Sequence, residues 1–124
     1  MENRFKLELL CENRIIEQTI YGDVDDNLSL PLRQESDALR KKTANPDKAC
    51  VLINTEHAGK ATSKARRKLY DILKEPFIHK FAVFGIRPYV RAIVNFIMSA
   101  SGSKKIRVFS SREKAIEWLL EDQE

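Results

Sequence analysis

Apolar and polar residues alternate at the start of the chain. Phe5, Leu7 and Leu9 are interleaved with Lys6 and Glu8, the pattern of a strand with one buried face. Cys11-Glu12-Asn13 is short enough to turn the chain back into a second strand, Arg14 to Tyr21, where Ile15, Ile16, Thr19 and Ile20 suit a pleated surface. The opening is therefore read as an antiparallel hairpin, ended by Gly22-Asp23. From Asp25 to Asn45 the period changes, and Leu28, Leu32, Ser36 and Leu39 fall on one helical stripe. This predicts a thin amphipathic helix on the outside, capped by Asn27 or Ser29, with Pro31 in its first turn and Asn45-Pro46-Asp47 as its stop.

The next strand, Ala49 to Ile53, is apolar without alternation, as expected where both faces are covered. After a break at Ala58-Gly59 and the pair Thr62-Ser63, a helix follows in which Ala65, Leu69, Ile72 and Leu73 form a packing stripe. Lys64, Arg67, Lys68 and Lys74 are read as its solvated outer face, and Glu75-Pro76 closes it. HKFAVF (79–84) is another short buried strand, and Gly85 allows a sharp turn into a helix that Pro88 opens and Gly102 ends near Ser101. Lys105 to Phe109 is the last strand. Ser110 and Glu113 are placed as a capping box for a final helix packed through Ala115, Ile116, Leu119 and Leu120. The predicted order is β-β-α-β-α-β-α-β-α, an α/β arrangement in a single domain over residues 1–124.

Composition narrows the picture without redirecting it. The length of 124 residues fits one core, and 43% hydrophobic with 32% charged residues describes an ordinary globular chain. A net charge of +4 is a weak pull toward anionic partners. No apolar run approaches the ~20 residues of a membrane span, so no transmembrane segment is expected, and the opening residues do not read as a secretory signal. Cys11 and Cys50 lack metal-ligand spacing and are read as reduced thiols, which points to a cytoplasmic protein. Neither a cofactor nor a metal is expected.

The element order, and above all the closing passage KFAVFGIRPYVRAIVNFIMSASGSKKIRVFSSREKAIEWLLE, resembles the STAS superfamily, the sulfate-transporter and anti-sigma-factor-antagonist domain, in its stand-alone STAS/SEC14-type branch. The resemblance implies a five-stranded mixed sheet with a β-α superhelix course and a non-enzymatic regulatory or protein-interaction role. In the anti-sigma-factor antagonists a serine in an Asp-Ser box, at the start of the helix after the central strand, is phosphorylated. Ser63 matches that serine, Thr62 stands in place of the aspartate, and Lys64, Ala65 and Arg66 replace the small residues that usually follow. The SEC14-type comparison implies an alternative role, the binding of an acyl or lipid-like small ligand.

The residues themselves offer each site with a simpler reading beside it. Thr62 and Ser63 can serve as helix caps or as phosphoacceptors, and added charge at a helix N-terminus near Lys60, Lys64 and Arg66 is locally favourable. Lys60, Ser63, Arg87, Ser110 and Arg112 emerge at one sheet edge if the later strands are parallel, with Arg91 one turn beyond Arg87. They could surround an anion, or simply cap and be solvated. The helix PYVRAIVNFIMSA carries Tyr89, Phe96 and Met98 beyond the stripe it needs, so it is either buried within the domain or used as a homodimer face or an acyl-chain pocket. Glu56 and His57 near Ser63 lack any catalytic frame, so no enzyme is expected. The basic run from Lys64 to Lys68 lacks a nucleic-acid motif or stacking platform and reads as a solvated face.

Overall fold

The computed structural model of the protein describes residues 4–85, 91, 92, 94, 95, 99, 102 and 104–121. Strands β1 (Phe5–Leu10) and β2 (Ile15–Ile20) form the antiparallel hairpin, with Phe5 opposite Ile20 and Leu10 opposite Ile15. Its turn holds Cys11, Glu12 and Asn13 in succession at φ 54°, 59° and 64°, left-handed conformations that ordinary side chains rarely adopt. A short strand β3 (Gly22–Val24) leads into helix α1 (Asp26–Arg40). After a 3₁₀ turn at Pro46–Lys48 come β4 (Ala49–Asn54), β5 (Ala58–Ala61) and helix α2 (Ser63–Ile72). Strand β6 (Ile78–Phe84), strand β7 (Ile106–Phe109) and helix α3 (Arg112–Leu120) complete the described elements. Between β6 and β7, residues 91, 92, 94, 95 and 99 are helical.

The main sheet has the expected five strands in the order β1-β2-β4-β6-β7. Beyond the hairpin every pairing is parallel: Ile16 lies beside Val51, Val51 beside Phe81, and Phe81 beside Ile106. Alternate residues of each strand serve opposite faces. Val51, Ile53, Phe81 and Val83 point toward α1 and α2, with Leu28 and Leu73. Cys50, Leu52, Ala82 and Phe84 point toward α3, against Ala115, Trp118 and Leu119. The apolar run of β4 is thus covered on both sides, and Cys50 is a buried thiol whose Sγ donates to the Leu119 carbonyl at 3.6 Å.

Three local expectations are corrected. The cap of α1 is Asp25, not Asn27 or Ser29; its carboxylate accepts from the Leu28 amide at 3.0 Å while Arg4 holds it from β1's side at 3.0 Å. Ser29 instead donates its hydroxyl to the Asp25 carbonyl. Pro31 lies inside the helix, past the first turn, where buried Leu28 and half-buried Leu32 anchor the segment to the core. Ser111, not Ser110, caps α3 by accepting from the Lys114 amide at 3.2 Å. Pairing of Phe109 with Phe84 keeps β7 extended to residue 109, so the helix starts one residue later than the capping box implied.

The second sheet was not anticipated. β3 and β5 pair in parallel outside the main sheet, inserting a strand between β4 and α2. Lys80, in the middle of β6, is a further surprise: it is buried, and its Nζ donates to the carbonyls of Trp118 at 2.7 Å and Glu121 at 3.1 Å, at the end of α3.

Candidate functional site

The carboxyl ends of β4 and β6 meet at Thr55, whose buried hydroxyl donates to the Phe84 carbonyl at 2.9 Å. Gly85 turns away from β6 at φ +137°, and a Cβ there would lie 2.3 Å from Thr55 Oγ1. The chain then runs through Glu56 and His57 into β5. The Glu56 amide donates to Asn54 Oδ1, and His57 stacks on Tyr21 with ring centroids 5.7 Å apart. Asp23 of β3 fixes β5 by accepting from the Lys60 amide at 2.8 Å. Its carboxylate lies where a Cβ on Gly59 would fall, so a larger residue there would push that carboxylate off the Lys60 amide. The Thr62 amide donates to the Val24 carbonyl at 3.0 Å, and α2 begins.

At that helix start the two hydroxyls divide the work. Thr62 is the N-cap, its Oγ1 accepting from the Ala65 amide at 3.1 Å. Ser63 is the first helical residue, is exposed, and its Oγ accepts from the Arg66 guanidinium at 3.1 Å. Exposed Lys60 and Lys64 flank it in sequence, and Lys64 lies 3.7 Å from Asp26 of α1.

The other expected anion ligands have separate surroundings. Arg112 makes two 2.9 Å contacts with the buried carboxylate of Glu17 on β2. These contacts raise the guanidinium's already high pKa. Ser110 is exposed and is not the cap. Arg91 is exposed on a helical residue. Arg87, Tyr89, Phe96 and Met98 lie outside the described residues. Among the described residues no group of His, Cys, Asp and Glu could hold a metal ion.

An apolar cleft of about 720 Å³ lies over the sheet face between α1 and α2. Val51, Ile53, Phe81 and Val83 form its floor, Leu32 and Leu69 line it from the two helices, and Val94 borders it. Gln18 lines it with its amide donated to Ser36 Oγ at 2.9 Å. Lys68, expected on the outer face of α2, is instead half-buried at the cleft. Its spacing from Ala65 and Ile72 was the signal, since those positions share one helical face.

The architecture is that of the anti-sigma-factor antagonist SpoIIAA, the STAS fold that the sequence resembles. The unphosphorylated form of SpoIIAA superposes with a TM-score of 0.65 at 13% identity, covering 94% of this chain and 98% of that one. The phosphorylated form, described as a Bacillus cell fate determinant, gives 0.56 at 17% identity over 93% and 98%. An uncharacterized DUF3478-family protein with a SpoIIAA-like fold from Shewanella loihica PV-4 gives 0.66 at 9% identity over 93% and 91%. No curated protein matches the sequence. The chain belongs to the family described as Domain of unknown function (DUF7793), whose model matches residues 11–122.

Proposed function

We propose that the protein is a cytoplasmic, non-enzymatic regulatory module that binds a protein partner around the start of α2, with Ser63 as its phosphoacceptor. The observation that carries this reading is the division of labour at the helix start. Because Thr62 supplies the cap, the Ser63 hydroxyl is not needed by the backbone and is exposed beside a guanidinium. A phosphate there would meet the free amides and positive end of the helix dipole, and Arg66 could grip it in bidentate fashion. The SpoIIAA fold, recorded in phosphorylated and unphosphorylated forms, supports a switch at this edge of the sheet. Lys60 and Lys64 would add to the attraction, whereas Arg112 is committed to Glu17.

Mass spectrometry of the protein purified from its native source tests the site. Cleavage after glutamate yields a peptide from His57 to Glu75 that contains Thr62, Ser63 and Tyr70. Phosphate localised to Ser63, with partner binding altered by Ser63→Asp and not by Lys42→Asp in the turn after α1, is the expected result. An unmodified Ser63 in cells that phosphorylate Thr62 or Tyr70 would reject the assignment.

A further inference from the structure

The outer edge of β1 takes no part in the helix-start switch. β1 ends the main sheet and pairs with β2 alone among the described strands. The Tyr21 amide donates to the Arg4 carbonyl at 2.8 Å, which fixes the phase of that ladder. In an antiparallel pair the residues that exchange hydrogen bonds recur at every second position. Arg4, Lys6, Glu8 and Leu10 therefore turn their backbone groups toward β2, and Phe5, Leu7 and Leu9 turn theirs outward. We infer that this edge pairs with the same edge of a second copy, antiparallel about a two-fold axis at Leu7, so that the two main sheets become one. Leu7 then exchanges both its bonds with the partner's Leu7, and Phe5 does so with the partner's Leu9. Charge selects both the occupant and the register. Lys6 falls opposite the partner's Glu8, and Glu8 opposite the partner's Lys6, at the close positions of the ladder where side chains meet. Sliding one copy by two residues sets Lys6 against the partner's Lys6, or Glu8 against the partner's Glu8. The two side chains share one face of the strand, are 61% and 43% exposed, and already meet each other at 2.6 Å. A lysine on an edge strand ordinarily repels further strands, but here its own strand carries the matching acid. Glu8 also faces Glu17 across the hairpin, whose charge Arg112 takes up, and the partner's Lys6 supplies Glu8 with a second cation beside that like-charged neighbour. The contact is self-complementary and closes at two copies.

Sedimentation equilibrium of the full chain, from micromolar to millimolar concentration, tests this alongside residue-resolved amide exchange. A monomer–dimer equilibrium is expected. The Leu7 and Leu9 amides should gain protection as the dimer forms, whereas those of Lys6 and Glu8, bonded to β2, are protected throughout. Lys6→Glu or Glu8→Lys alone should weaken the dimer about tenfold, because the two-fold axis turns two attractive pairs into two repulsive ones. Mixing these two variants, or combining both substitutions in one chain, should restore association, since each lysine again meets a glutamate. Leu7→Pro removes an outward amide and none that bonds β2, so it should abolish the dimer and spare the hairpin; the charge variants decide the matter if the proline does not fold. A monomer at millimolar concentration would overturn the proposal. So would a dimer indifferent to both charge reversals, or assemblies that grow beyond two copies, in which β1 would be meeting the β7 edge of the next molecule.

Discussion

Lys80 is only 7% exposed, yet it stands in the middle of an apolar strand. Its ammonium lies 5.0 Å from the centroid of the Trp118 ring and donates to two carbonyls at the end of α3, where the helix dipole favours a cation. Lys80→Met keeps the aliphatic stem and removes the donors, so urea unfolding should show a loss of about 1–3 kcal/mol. The apolar run 79–84 revealed the strand, but it could not reveal this role. A lysine between His79 and Phe81 has the same appearance whether it reaches for solvent or for a helix end 38 positions away. Thr62 and Ser63 were more legible, because capping chemistry is local; which hydroxyl caps depended on where β5 delivers the chain. Lys68 was misread because its charge outweighed its helical phase.

Among the elements, α1 depends on a cap that belongs partly to another strand. The Arg4 guanidinium, and then the Leu28 amide, hold the Asp25 carboxyl below its ordinary value of 3.8. A depressed folded pKa means that this contribution is fully present above 3.8 and is lost as pH falls through the folded value. Thermal midpoints measured on descent through that window should fall, and Asp25→Asn, which retains a capping oxygen, should flatten that part of the profile. The apolar runs of β4 and of Phe81–Phe84 in β6 and the alternation of β1 made those strands readable. β3 and β5 were not readable, because three- and four-residue strands secured by an aspartate and backbone bonds have too little side-chain pattern to show. Gly59 was noted as a turn residue, but the reason for it is Asp23, and only the folded chain brings the two together.

Across the whole molecule, Arg112 and Glu17 tie the last helix to the opening hairpin. Glu17 has 9% of its side chain exposed and Arg112 41%, so one end is dry and the other partly screened. Removing the cation alone strands the acid. Arg112→Met should cost about 2 kcal/mol in urea unfolding, below the ~3–5 typical of fully buried pairs, and adding Glu17→Met should recover most of it. The succession of helices and main-sheet strands was legible, with the five-stranded mixed sheet implied by the resemblance, whereas this tie was not: Arg112 was read as an anion ligand or a solvated charge because sequence spacing cannot identify a carboxylate 95 positions away.

That tie has a consequence for how the protein is made. Strands of the main sheet occur in the order in which a ribosome would deliver them, each docking on the edge left by its predecessor. Glu17 is delivered early, and its partner arrives only after every strand is in place. Until then the acid lacks its guanidinium, and Cys50, Leu52 and Ala82 lack the helix that covers them. A product truncated before α3 therefore carries both an unpaired carboxylate and a bare apolar face, so a cell's proteases could distinguish it from a finished chain without reading its length.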